Sequence, residues 1–388
     1  MNRKEYINPL ICHTCNNYRI IVYEDKLFTE KNKQLELELP FYYCEGCKEK
    51  TLINDELSIQ KTAQQLLSEI QNNKRVKYSD THKTERFKRF EIKDLKYDAR
   101  DYYDIPGLYR QFDQGYLTPV FFKLDLLLYY NNHNNYRVSL GTFSRVIIYE
   151  ENDYLVEHGL GINKHGNLFC WLGDLYELLK EEEKKEHLYR FLASNIESDH
   201  DIRSDYYLQE IEAEFVDSDN ENRVLKLKDI FEKKVYLKTR LSLSKIKITK
   251  PPIDYKPPII NERQQIFRSY TKINSLLTET IQTAEIKKYL LTKGFKEDEL
   301  NNLGGLKTLD MFLKYTVGDK YEKTMISPLF YLYELRLLDS HFSDGNFNKD
   351  YGEIINEFGF KNPEDYIGFF KLLIKKIGDM YEYINKHL

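Results

Sequence analysis

Four of the five cysteines fall into two CxxC pairs, Cys12 with Cys15 and Cys44 with Cys47. Each pair can present two thiolates from one tight turn, and two such turns complete the tetrahedral shell that Zn²⁺ takes. A filled Cys₄ shell leaves no position for a substrate water, so the expected zinc is structural. The competing reading is two separate redox pairs, but in a reducing compartment this spacing points first to metal. Gly46 lies in the second pair, where a tight turn favours glycine. His13, inside the first pair, is not expected to be a ligand, and Cys170, beside Trp171, reads as a small core residue.

A second constellation lies near the C-terminus. Ser327 to His341 reads SPLFYLYELRLLDSH, a helix with Ser327 as N-cap and Pro328 in its first turn, apolar nearly all round. A helix of that kind is buried, and Arg336 inside it needs a partner or a purpose. Glu334 and Asp339 are at hand as partners. His341 follows five residues later, near an end signalled by Ser343, Asp344 and Gly345. Arg-x4-His on the penultimate helical element of a C-terminal all-α domain resembles the Arg-x4-6-His motif of the HEPN superfamily. The resemblance covers about residues 261–388. Arg75 to His82 also fits the spacing but lies in a basic linker. The resemblance implies a metal-independent endoribonuclease, with Arg336 and His341 as the catalytic pair and two copies meeting in a homodimer through the helical domain. It also implies a toxin or antiphage defence effector that responds to a partner protein or phage trigger. Leu337 departs from the family, where that position is often polar.

The residue types suit that chemistry. RNA carries a 2′-hydroxyl beside the scissile phosphate, so cleavage needs a proton acceptor, a proton donor and stabilisation of phosphorane charge. His341 titrates near neutrality and Arg336 can pair bidentately with phosphate oxygens. Residues five apart on a helix are turned by about 140°, a divergence that pairing across a two-fold axis can remove.

Two further clusters carry weaker chemistry. Asp199, His200, Asp201 and Asp205, continued by Glu210, Glu212 and Glu214, offer the donors of a metal-dependent hydrolase. Their spacing fits a solvated helix face as well. Gly159, Gly161 and Gly166 match neither phosphate-loop pattern, and Asn163 to Gly166 reads as a hairpin turn. A non-catalytic nucleic-acid- or protein-binding dimer is the remaining function class.

These groups need elements to hold them. Tyr18–Tyr23 and Leu35–Tyr43 alternate like strands and follow or precede the cysteine pairs, an arrangement similar to a Cys₄ zinc ribbon. The 28 residues between Cys15 and Cys44 then form a long hairpin. A helix from Asp55 to Ile70 completes residues 1–73. Residues 74–96, with Lys74, Arg75, Lys77, Arg86, Lys88 and Arg89, read as a basic linker. Residues 97–245 read as an α+β domain, with strands over Val120–Tyr130 and Arg145–Tyr149, a turn at Asn131–Asn135, and helices over Asp174–Phe191 and Ser198–Phe215. Pro251-Pro252 and Pro257-Pro258 mark residues 246–260 as an extended, exposed linker. Residues 261–388 read as an all-α, HEPN-like domain whose last helix carries Tyr366, Phe370, Leu373, Ile377, Met380 and Ile384 on one stripe. The expected fold is multidomain α+β.

With 41% hydrophobic and 31% charged residues, the composition is that of a globular protein. A net charge of -4 excludes broad electrostatic binding of nucleic acid, so any RNA contact must be local. Neither a secretory signal nor an apolar run of membrane length is apparent, so no membrane contact and a cytoplasmic location are expected.

Overall fold

Alternating apolar and polar residues build a long hairpin from β1 (Arg19–Glu30) and β2 (Lys33–Cys44), paired from Arg19 opposite Cys44 to Glu30 opposite Lys33. In the computed structural model the described residues are 9–70, 75–78, 87–142, 144–151, 153–180, 184–214, 216, 220–252, 255–322, 324–340 and 347–388. β3 (Lys50–Leu52) pairs antiparallel with the end of β2, and β4 (Arg75–Tyr78) pairs parallel with its beginning. The segment expected to be a basic linker therefore contributes a strand. Lys74, His82 and Arg86 lie outside the described residues.

Leu35, Leu37 and Leu39 point to one face of β2, as the period of two requires, and meet Ile59, Ala63 and Leu67 of the helix Glu56–Glu69. Asp55 caps that helix by accepting from the Ser58 amide at 3.1 Å. On the other side, Leu10 and Ile21 join Tyr102, Phe121, Phe169, Trp171, Tyr206 and Tyr207 in a second core. The hairpin and the α+β segment thus share apolar side chains. Contacts group them as one unit, Met1–Tyr129 with Ser144–Val216.

In that unit Pro119–Phe122 is wholly buried, flanked by Asn195–Ile196 and Leu168–Trp171. Leu160–Ile162 and Arg145–Glu150 extend the sheet, all antiparallel. The expected strand Val120–Tyr130 is instead a strand ending at Phe122 and a helix, Leu126–Asn132. An unbroken apolar run carries no period that could separate the two. The expected helix Asp174–Phe191 is two, Leu172–Leu179 and Lys185–Ser194. Asn163–Gly166 is a turn as expected, with the Asn163 amide bonded to the Asn167 carbonyl at 2.9 Å.

The second unit comprises Tyr130–Phe143 and Asp217–Leu388 and is mostly helical. Its helices, Glu221–Thr239, Arg263–Asn274, Thr283–Thr292, Gly305–Val317, Ser327–Ser340, Phe347–Glu357 and Tyr366–His387, enclose Phe267, Tyr270, Leu332, Leu335, Phe370, Leu373 and Ile377. Ser275–Glu279 continues Arg263–Asn274 as a π-helical turn. Asn220 ties the helix it caps to Tyr136–Thr142 of the same unit, its Nδ2 donating to the Leu140 carbonyl at 2.7 Å.

The proline-rich segment has neither helix nor strand among its described residues, and while Ile246 is exposed, Tyr255, Pro257, Pro258 and Ile259 are buried. Tyr255 donates its hydroxyl to the buried carboxylate of Glu221. Proline has no amide hydrogen to satisfy, so an extended proline-rich segment can be covered without a ladder partner. Composition marks a break here, whereas contacts divide the chain between Val216 and Asp217. Among the described residues no helix is long and apolar enough to cross a membrane.

Candidate functional site

The hairpin register explains the cysteine cluster. Placing Cys44 opposite Arg19 brings the second CxxC beside the first, despite the long separation in sequence. Both turns have the same backbone bonding. The Asn16 amide donates to the Cys12 carbonyl at 2.9 Å and that of Lys48 to Cys44 at 2.8 Å. The Cys12 amide donates to the Asn17 carbonyl at 2.8 Å and that of Cys44 to Glu49 at 2.9 Å. Asn16 and Lys48 take the left-handed conformation that closes each turn. Gly46 is not in the left-handed conformation, and what stands nearest to it is the movable amide end of the exposed Asn17 side chain. A Cβ there would lie 2.4 Å from Asn17 Nδ2.

One Sγ from each of Cys12, Cys15, Cys44 and Cys47 lies within 4.8 Å of the others. Cys12 to Cys47 is 3.5 Å and Cys15 to Cys44 is 3.4 Å. A tetrahedral thiolate shell with bonds of about 2.3 Å has sulfurs about 3.8 Å apart, so the four fit one metal ion. Among the crowded thiols Cys44 is lowered, first by the Cys47 backbone amide, whereas Cys47 is raised, against the pull of the Glu49 backbone amide, by burial and by its sulfur neighbours. His13 is exposed and outside the cluster. Cys170 is buried, its thiol pushed well up by desolvation.

Arg336 lies on Ser327–Ser340, but that helix is not buried all round as expected. Tyr333, Arg336 and Leu337 share a face at three- and four-residue spacing, and Tyr333 and Leu337 are each 39% exposed. The Arg336 side chain is 34% exposed, and its Nη1 lies 2.7 Å from Glu279 Oε1. Glu279, at the end of the π-helical turn, lines a groove of about 570 Å³ with Thr278, Lys307, Phe330, Tyr333 and Leu337. His341 lies outside the described residues, next in sequence to Ser340, the last described residue of that helix.

The Asp199–Glu214 cluster does not converge as a metal site would require. Its helix begins only at Asp205, capped by Ser204, whose Oγ accepts from the Tyr207 amide at 3.1 Å. Upstream, Asp199 accepts from the Asp201 amide and Asp201 from the Arg203 amide, local bonds that compete with helix. Asp201, fully buried, holds Arg203 bidentately at 2.7 Å, and Arg203 Nη1 reaches Glu45 of the second cysteine turn at 2.8 Å. His200 Nδ1 is 2.7 Å from buried Asp101. Burial opposes its charge, but the bond to Asp101 and its negative charge raise the imidazole above its usual range. These side chains therefore brace the first unit around the cysteine turns.

A further constellation has no signature in the sequence. Trp171 ends the strand Leu168–Trp171 and the helix Leu172–Leu179 starts at once, which puts Asp174 in its first turn. Asp174 Oδ1 accepts from Tyr116 Oη at 2.6 Å and lies 2.8 Å from His158 Nδ1. Tyr116 fits there because Gly173 has no side chain; a Cβ would lie 2.2 Å from the tyrosine ring. The bond to Asp174 raises His158 above its usual range, and burial raises Tyr116. Glu157, His158 and Asp174 each offer a ligand atom within 4.8 Å of the others. His158 and Tyr116 also line a cavity of about 240 Å³ with Arg110, Asp113, Leu117, Trp171, Glu210 and Ile211.

No protein-family model, no curated protein and no solved structure matches this chain.

Proposed function

We propose that this chain is a metal-independent endoribonuclease of HEPN type, in which Arg336 and His341 act on RNA. The observation that carries the reading is the accessible placement of Arg336. Its guanidinium sits on a mostly apolar helix, beside exposed Tyr333 and Leu337, and is held by a surface ion pair to Glu279 rather than by a buried carboxylate. Surface pairs of this kind contribute about 0–1 kcal/mol, so phosphate can compete for the guanidinium. The neighbouring π-helical turn adds weight, because such turns recur at functional sites.

Exposed Tyr333 and Leu337 suit a homodimer through this helical face, which would bring two Arg336/His341 pairs together. The metal at the four cysteines is zinc in this reading, with a structural role, and the protein works in the cytoplasm as a defence effector or toxin under a trigger. A second reading has one observation in its favour: a guanidinium already paired with Glu279 also suits a non-catalytic, dimeric binding protein. Growth of cells expressing wild type against cells expressing Arg336→Ala or His341→Ala separates the two. The ribonuclease reading expects arrest and loss of cellular RNA with wild type alone.

A further inference from the structure

We infer that Glu157, His158 and Asp174 form a second metal site, separate from the four cysteines, which takes a six-coordinate divalent cation such as Mn²⁺. The proposal is independent of the ribonuclease reading, since these residues belong to the first unit and Arg336 to the second.

Three observations carry it. The donors are one imidazole and two carboxylates with ligand atoms mutually within 4.8 Å, a harder set than the thiolate cluster and suited to Mn²⁺, Fe²⁺ or Co²⁺. The His158 Nδ1 to Asp174 Oδ1 separation is 2.8 Å. With metal–ligand bonds of about 2.1 Å this subtends about 84°, close to an octahedral angle, whereas a tetrahedral shell would place the two donors about 3.4 Å apart. The third observation is independent of that spacing. The Asp174 side chain is wholly inaccessible, yet its Oδ2 has no hydrogen-bond partner. A buried carboxylate oxygen left so is costly, and a cation beside the carboxylate offsets that cost.

The surroundings agree with this use. Tyr116 Oη donates to the same Oδ1 of Asp174 and so orients the carboxylate, as partners outside a coordination shell do. Glu157 and His158 are exposed, so an ion can enter and retain water. Ion binding displaces the proton between Nδ1 and Oδ1, and the imidazole then ligates in its neutral form.

Manganese is the discriminating probe, because it competes poorly for thiolates. Zinc-loaded, full-length protein equilibrated with Mn²⁺ should bind about one manganese per chain in addition to the zinc, read by electron paramagnetic resonance and elemental analysis. His158→Ala and Glu157→Gln alter exposed side chains, and each should weaken manganese binding by about tenfold or more. Zinc content should stay as in wild type in both variants, and the melting curve should stay so in Glu157→Gln, while His158→Ala also removes a partner of the buried Asp174 carboxylate. Wild-type protein that retains zinc alone would overturn the proposal, as would manganese binding that survives both substitutions unchanged.

Discussion

Arg336 and Glu279 face each other across two turns of different kinds, one α-helical and one π-helical, with 2.7 Å between Nη1 and Oε1. Both side chains are partly exposed, so the pair holds the guanidinium ready without locking it. Glu279→Gln should cost less than about 1 kcal/mol of stability. The same change should strengthen binding of single-stranded RNA, because phosphate no longer competes with a carboxylate. Chemical denaturation and fluorescence anisotropy check the two halves. Unchanged or weaker RNA binding would remove Arg336 from the RNA site.

The four cysteines close a turn whose apolar neighbours, Leu10 and Ile21, belong to the core shared with Trp171 and Tyr206. Loss of the metal should therefore spread beyond the turns. Cys44→Ser should lower zinc from about one equivalent per chain to almost none and broaden or abolish the melting transition of the first unit. Elemental analysis and circular dichroism read both. Full zinc retention in the variant would contradict the assignment of Cys44.

His200 and Asp101 give a pH dependence with a definite sign. The folded state raises His200 above its unfolded value and raises buried Asp101 as well, so both bind protons more readily when folded. The His200 contribution is full below the unfolded histidine value of about 6.5 and is lost as pH rises through the raised folded value, whereas that of Asp101 is full only below the unfolded carboxylate value of about 3.9. Wild type should exceed His200→Gln in melting temperature by more at pH 6 than at pH 8.5. An equal gap at both would rule out a charged His200 in the folded state.

The proline-rich segment should resist proteases from Tyr255 to Ile259, since Tyr255 and Ile259 are buried within the helical unit. Tyr255→Ala should destabilise by about 3 kcal/mol or more, from the cavity and from Glu221 left buried without its partner. Limited proteolysis with peptide mapping tests the first statement and a denaturant melt the second.

What was legible in the sequence had a local cause. CxxC spacing names its ligands because each turn supplies two, and the alternation of Leu35, Leu37 and Leu39 names a strand because its side chains take opposite faces. The last helix shows its stripe from Phe370 to Ile384. What was illegible depended on distant partners. His158 and Asp174 are brought together by sheet and turn, not by spacing. Glu279 reaches Arg336 from 57 residues away, where helix periodicity pointed to nearer acids. The helix expected from Ser198 starts at Asp205 because Asp199 and Asp201 spend their carboxylates on their own backbone.

The central claim, RNA cleavage by Arg336 and His341 without a catalytic metal, is tested most directly by mass spectrometry of the ends produced from single-stranded RNA. Attack by the 2′-hydroxyl should leave a 2′,3′-cyclic phosphate on the 5′ fragment. Brief chelation should not stop the reaction, and Arg336→Ala or His341→Ala should reduce it by about 10²-fold or more with fold and dimer retained. Ends bearing 5′-phosphate made only with Mg²⁺, or wild-type rates in both variants, would contradict the account.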